Sequence, residues 1–314
     1  MYWLPYIAGS RVDASASRLQ SGDAMNQRWN LMMSRRGFAH ASLTGLASVA
    51  IMRPSLGRPS GFDDPALTLG VIASRDESGR LRDVARGIAL GMDEARHAAT
   101  LFDKKLHEVT AASPTTVGGE AIPQAVIFAG SSSEAPTAAR EAANRKMVFV
   151  NASVSDDSLR RELCSAFVFH VAASDAMYAS AQSAASPASA PVSMWNGALE
   201  RYGAAQLNDR FRAASLPPNA DTWSGWMAVK IVWESFLRAA TPTGEGIATY
   251  LASENSQFDG HKGAPLSFRR WDHQLRQPLY SGAREIPDLS RSSAPVRQLL
   301  DTIGDREGAT KCKS

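Results

Sequence analysis

Cysteine is nearly absent: Cys164 and Cys312 are the only two among 314 residues. Neither has a second cysteine nearby, so the spacing of a zinc site is missing. An even count is compatible with one disulfide in an exported protein, or with two separate thiols. No glycine-rich run ends in Gly-Lys-Ser/Thr, and no dinucleotide-type glycine pattern follows Ala73, so neither phosphate cradle is present. "AGSSSE" at Ala129–Glu134 lacks the second glycine of a nucleophile elbow. His97, His107, His170, His261 and His273 are scattered without the helical spacing of a metal pair, and each reads as surface or hydrogen-bonded structure. Asp156 and Asp157 are adjacent, so on a helix start they point apart and answer the helix dipole. No nucleophile, base or metal constellation can be assembled, which argues against an enzyme and against a resident cofactor.

A basic face is also lacking. The formal charge is +3, but residues 1–60 hold seven arginines and two acidic residues, leaving 27 basic against 29 acidic residues over 61–314. The folded part is near neutral, which does not suit a nucleic-acid partner. Long hydrophobic runs are missing too. The uncharged stretch Ala41–Met52 is short and rich in Ala, Ser and Gly, whereas a bilayer span needs about 20 strongly apolar residues.

That stretch belongs to "SRRGFAHASLTGLASVA", Ser34–Ala50. Twin Arg35 and Arg36, then Phe38, then a small-residue apolar run closed by Arg53 and Pro54, resemble a twin-arginine export signal. Such signals lie close to the start of translation. The expectation is therefore a start at Met25, Met32 or Met33, with an over-extended reading before it and export to the periplasm.

Gly57–Pro65 reads as the linker where the fold begins. "LTLGVIA" at Leu67–Ala73 has the continuous apolar pattern of a strand buried on both faces. Leu81, Val84, Ala85, Ile88, Met92, Ala95 and Ala99 form one stripe of a helix over Gly79–Ala99. Strands are expected at Leu106–Thr110, Ala125–Gly130, Met147–Val150 and Ala166–Ala172, with helices at Ser133–Arg145 and Ser174–Ser186. Strand and helix alternate about every twenty residues, which predicts an α/β fold: a doubly wound parallel sheet with ligands at the C-terminal strand ends. The alternation then stops. Ala185–Ser193 is Ala/Ser/Pro linker, and only one helix-like segment, Gly197–Ser215, precedes the tryptophan-rich helix Asp221–Ala240, with Asp221 and Thr222 as expected caps. Trp223, Trp226 and Trp233 read as core. Short strands are expected at Ala264–Phe268 and Pro278–Ser281, and a last helix at Ala294–Ile303. The organisation is thus 1–60 leader and linker, 61–184 first lobe, 185–220 linker and remnant of a second lobe, and 221–314 C-terminal elements returning to the first lobe.

Two loops carry hydroxyls at strand ends. "FAGSSSEAP", Phe128–Pro136, and "FVNASVSDDSL", Phe149–Leu159, each run from an apolar strand through serines into a helix start. Free N–H groups of a helix's first turn and serine hydroxyls can hold a small anion, although N-capping by one serine is the simpler reading of a single such stretch. On neighbouring parallel strands the two loops would share one rim, which suits capture of a small zwitterion or hydroxylated solute.

These residues resemble the type I periplasmic solute-binding proteins of ABC transporters, the leucine/isoleucine/valine-binding group. The likeness runs through "LTLGVIA", "RDVARGIALGMDEA", "AVIFAGSSSEAPTAAREAANRKMVFVNASVSDDSL", "FVFHVAASDAMYASA" and "TWSGWMAVKIVWESFLRA". "LCSAFVFHVAASDAM", "KGAPLSFRRWDHQLRQP" and "LDTIGDREGATKC" are similar to a branch that accompanies PQQ-dependent alcohol oxidation. The resemblance implies a receptor that closes on its solute by a hinge, a permease partner and a periplasmic quinoprotein system nearby. It implies Ser131, Ser153 and Ser155 as ligand-binding residues, with Ser132 close by, and a disulfide between Cys164 and Cys312. It also implies a full second lobe, which is strongly reduced here, while Arg75 and Arg80 flank the first loop where small or aromatic residues are usual. The alternative is a degenerate, truncated homologue acting through protein contacts.

Overall fold

The computed structural model describes residues 65–73, 79–111, 122–185, 190–290 and 293–308, all within the unit that spans residues 61–314. The Ser34–Ala50 stretch, the candidate starts, Arg75, residues 186–189 of the Ala/Ser/Pro linker and Cys312 lie outside the described residues.

Five strands, β1 (Ala66–Ala73), β2 (Lys105–Ala111), β3 (Ala125–Ala129), β4 (Val148–Asn151) and β5 (Val168–His170), form one sheet. Their order is β2-β1-β3-β4-β5 and every neighbouring pair is parallel. The period-2 alternation of strand side chains divides the apolar residues between two cores. Leu67, Leu69, Val71, Ile127, Val148, Val150 and Phe169 enter one cluster, whereas Ile72, Val126, Phe128, Phe149 and Val168 enter the other. Runs that look continuously apolar in sequence are therefore buried on both faces, which only a parallel sheet covered by helices on each side allows.

α1 (Gly79–Leu101) covers one face, and α2 (Ala135–Asn144) and α3 (Asp157–Glu162) the other. α1 buries Val84, Gly87, Ile88, Gly91, Met92, Ala95 and Ala99, so the expected stripe also contains two glycines. α4 (Asp175–Ala184), capped by Ser174, follows β5, and α5 (Ala204–Ala213) comes after the linker. α6 (Ala220–Arg238) then crosses α1 at close range. A Cβ at Gly87 would run into the Thr222 carbonyl, and one at Gly225 into the Val84 carbonyl. Small residues at the crossing let the two backbones touch.

α6 is apolar almost all round, as a helix must be when layered between other elements. Its tryptophans are core: Trp223 stacks on Trp195 with centroids 5.9 Å apart, Trp226 donates from Nε1 to Glu94 Oε2 at 2.8 Å, and Trp233 packs on Phe236. α7 (Gly244–Ala252) adds Ile247, Ala248 and Leu251 to the same cluster.

The C-terminal third forms two small antiparallel sheets. One joins β7 (Phe258–Asp259), β8 (Pro265–Phe268) and β9 (Leu275–Arg276); the other is ordered β11-β10-β6, from β6 (Val192–Ser193), β10 (Leu279–Ser281) and β11 (Arg284–Ile286). Among the described residues there is no second parallel sheet. The hairpin before β9 covers the free edge of β5: His170 N donates to His273 O at 2.9 Å, and Gln274 Nε2 donates to the carbonyls of His170 and Ala172. Lys262 is fully buried between the small sheets and α6. Its ammonium donates to Met194 O, Gln277 Oε1 and Pro278 O and lies 3.9 Å from the Trp223 ring centroid.

Several expectations need correction. The cap of α6 is Asn219, whose extended backbone brings its Oδ1 to Thr222 N at 2.9 Å; Asp221 sits in the first turn instead. The single helix expected over Gly197–Ser215 is broken, because Tyr202 (φ 58) and Gly203 (φ 83), within the short turn Arg201–Gly203 that precedes α5, are left-handed. The stretch expected to be linker contains β6, whose two residues pair with β10 almost ninety positions later. The last helix shrinks to α8 (Val296–Leu300). α7, capped by Thr243 through Gly246 N at 3.1 Å, was not anticipated, although its cap and Ile247/Leu251 spacing are visible in sequence.

Gly225→Ala forces α1 and α6 apart. A loss of about 1–3 kcal/mol, the usual cost of overpacking, is expected in urea denaturation monitored by tryptophan fluorescence.

Candidate functional site

In a sheet of this order the strand sequence reverses at β1 and β3, and the crevice above their C-terminal ends is where such folds bind ligands. The loops after β3 and β4 rise there. β3 ends at Ala129, and Ser131 donates from both its N–H (3.0 Å) and its Oγ (2.7 Å) to Glu134 Oε2. Glu134 and Ala135 return their N–H groups to the Ser131 carbonyl. Only half of a capping box is present: Glu134 reaches back to the Ser131 N–H, while the Ser131 hydroxyl donates to the same carboxylate and caps no N–H of α2; Pro136, in the first turn, has no N–H to satisfy. The chain's own carboxylate thus occupies the donors expected to hold an anion. Ser132 is exposed beside them.

β4 ends at Asn151, whose side chain folds the next loop over itself. Its Oδ1 accepts from Ser153 N and Val154 N, and its Nδ2 donates to Val154 O. The Ser153 hydroxyl is buried; it donates to Gly130 O at 2.8 Å and accepts from Gly130 N at 3.1 Å. It joins the two loops like a rivet and has no donor left for a solute. Ser155 is half-buried. Its carbonyl accepts from Asp175 N, while its hydroxyl makes no hydrogen bond among the described residues. The structure therefore brings the two serine loops to one rim, but the three hydroxyls differ: Ser131 is engaged by Glu134, Ser153 is interior, and Ser155 is without a hydrogen bond among the described residues.

Arg80, which flanks the first loop, is a principal side chain of this rim. Its Nε pairs with Asp221 at 2.9 Å and its Nη2 donates to Ser153 O at 2.8 Å. It links α1, the β4 loop and α6, and Ser224 Oγ adds a bond from α6 to Ala152 O. Burial raises the Asp221 pKa, with Arg80 opposing the rise. Burial also lifts the Tyr178 phenol, on α4, to about 12, so it is neutral near pH 7.

Behind the rim lies Arg160, 1% exposed. It donates to Gln274 Oε1, to the carbonyls of Val154 and Asp156, and to Ala172 O at 2.6 Å. Burial lowers its pKa to about 10, which leaves it charged at neutral pH. His170 is buried against Asn151, and desolvation holds its pKa well below the usual value; His273 is stacked on Phe169, with centroids 4.5 Å apart. Both are structural. No group of His, Cys, Asp or Glu among the described residues could hold a metal ion. Sequence periodicity could not find Arg160 or Gln274, because each looks like an ordinary polar position.

This sheet order, with α6 returning from the C-terminal third onto α1, is the fold of the type I periplasmic binding proteins. Solved structures with this fold include a periplasmic binding protein from Burkholderia mallei, with a TM-score of 0.59 at 12% identity over 79% of this chain and 98% of that one. A branched-chain amino acid transporter substrate-binding protein from Streptococcus pneumoniae, in complex with isoleucine, has a TM-score of 0.52 at 12% identity over 71% and 98%. A solute-binding protein of an ABC transporter from R. palustris, in complex with benzoate, has a TM-score of 0.54 at 11% identity over 80% and 100%. No family model and no curated protein matches the chain.

Ser153→Ala leaves the buried Gly130 N–H and C=O without partners, so a loss of about 1–3 kcal/mol is expected in chemical denaturation. Ser155→Ala is expected to stay within about 0.5 kcal/mol of the parent.

Proposed function

We propose that the chain is the exported substrate-binding protein of an ABC transporter, capturing a small amino acid or alcohol-derived metabolite at the rim of the parallel sheet. The observation that carries this reading is the pairing of Arg80 and Asp221 above the loops that Ser153 rivets together. A zwitterion can exchange with that pair. Its carboxylate would take Arg80 and the Ser131 donors now held by Glu134, and its ammonium would take Asp221 and the Ser155 hydroxyl, with Ser132 at the margin. The isoleucine complex of the S. pneumoniae protein and the benzoate complex of the R. palustris protein support a small carboxylate as the solute class. Export through the twin-arginine stretch, a periplasmic location, a permease partner and a nearby quinoprotein system complete the proposal.

Calorimetric titration with amino acids, short acids and short alcohols is the direct test. Heat with at least one of them, lost in Arg80→Ala and Ser155→Ala, is expected. Absence of heat and of any thermal shift across the set would overturn solute capture. A second reading, a degenerate homologue acting through protein contacts, is favoured by the lack of a second parallel sheet among the described residues. Half a pocket forfeits contacts and water exclusion. Retention of a periplasmic quinoprotein on the immobilised chain, without any small-molecule response, is the outcome expected from it.

A Cys164–Cys312 disulfide is part of the same proposal. Cys164 follows α3 and is not a free thiol, and the chain has one other cysteine. Peptide mapping of protein purified from the periplasm is expected to yield one linked peptide that separates on reduction; two alkylated thiols without reductant would refute it.

A further inference from the structure

A cavity of about 190 Å³ lies away from the serine rim, between the turn before α5 and the β10–β11 hairpin. Glu200, Arg201, Tyr202, His261, Tyr280 and Glu285 are among the residues that line it. Its volume exceeds the roughly 150 Å³ of an engineered cavity that accommodates benzene. Two of its walls are built from unfavourable backbone. Tyr202 (φ 58) and His261 (φ 56) are both left-handed, a costly state for bulky side chains. Their neighbours are shaped to fit: a Cβ at Gly203 would meet the His261 ring, and one at Gly263 the Tyr202 ring. Strain of this kind persists where surrounding structure imposes it, and it concentrates at binding sites.

One half-buried carboxylate of the cavity, Glu285, lacks an ion pair with Lys or Arg among the described residues. Arg201, one of the two cations acting on it, lies over the Tyr202 ring, 5.0 Å from its centroid. Burial raises the Glu285 pKa, and a backbone hydrogen bond at Leu289 and the charges of Arg201 and Lys262 offset that rise only in part. Glu200 adds a second carboxylate to the lining, and Tyr280, 6% exposed, supplies an aromatic wall whose ring centroid lies 5.5 Å from Lys262 Nζ.

We propose that this cavity is a second binding site, taking a small organic ammonium with a body about the size of benzene. Glu285 faces the charge, and the rings of Tyr202 and Tyr280 enclose the apolar part, an arrangement in which ring faces favour a cation. The site is independent of the serine rim and of the solute proposed there.

The test is titration of the full chain with benzylammonium, benzyl alcohol and benzoate. Benzylammonium is expected to bind about tenfold or more tighter than benzyl alcohol, the difference made by one charge partner and two ring faces, with benzoate not binding. Glu285→Gln is expected to abolish the preference. Tyr202→Ala removes a side chain that is 52% exposed, so it leaves the fold intact and is expected to weaken benzylammonium about tenfold. Equal affinities for the ammonium and the alcohol, no binding at all, or unchanged binding in both variants would overturn the proposal. Loss of benzylammonium in Arg80→Ala with retention in Glu285→Gln would assign it to the rim and overturn it equally.

Discussion

A single buried guanidinium holds the candidate site together. Arg160 reaches from α3 to two carbonyls of the β4 loop, one at the end of β5 and the side chain of Gln274 beside β9. A charge removed from water is tolerated only when its donors are satisfied, and here backbone oxygens do most of that. The arrangement fixes the loop containing Ser153 and Ser155 relative to β5, and it fastens the C-terminal hairpin to the sheet edge. Lys262 does the same for the segment after the linker, binding Met194 O and Pro278 O beneath Trp223. Two buried cations thus bind together parts of the chain that are about seventy to more than a hundred residues apart.

The consequence for the rim is a division of labour among similar side chains. Ser153 is consumed in joining the two loops, so the position of Ser131 relative to Ser155 is a property of the scaffold and needs no ligand. The charges that could recognise a solute come from elsewhere, from the first turns of α1 and α6. Arg80 and Asp221 neutralise each other across the crevice, while Glu134 satisfies Ser131. Preorganised loops covered by exchangeable charges fit a surface that trades internal contacts for ligand contacts.

Much of the architecture was legible in advance. β1, β3, β4 and β5 announced themselves as short apolar runs, and α1 and α6 as long stripes, because burial on both faces or on one helical face leaves a periodic trace. Elements whose partners are remote left none. β6 is two residues long and exists only through pairing with β10, and the break at Tyr202 depends on packing against His261 and Gly263 rather than on local preference. Asn219 outcompeted Asp221 as a cap because Asp221 is drawn to Arg80, 141 positions away.

By itself the sequence determined the alternation of strand and helix, the burial of the tryptophan helix and the placement of two serine-bearing loops at strand ends, since all three follow from local order and spacing. Only the tertiary structure decided what each serine does. Three hydroxyls of the same chemistry are distinguished by their hydrogen-bond partners: a neighbouring carboxylate for Ser131, the Gly130 backbone for Ser153 and, among the described residues, none for Ser155. Hydrogen bonding is set by distance and direction in space, and contacts such as Arg160 to Gln274 or Arg80 to Asp221 bridge separations along the chain that no periodicity records.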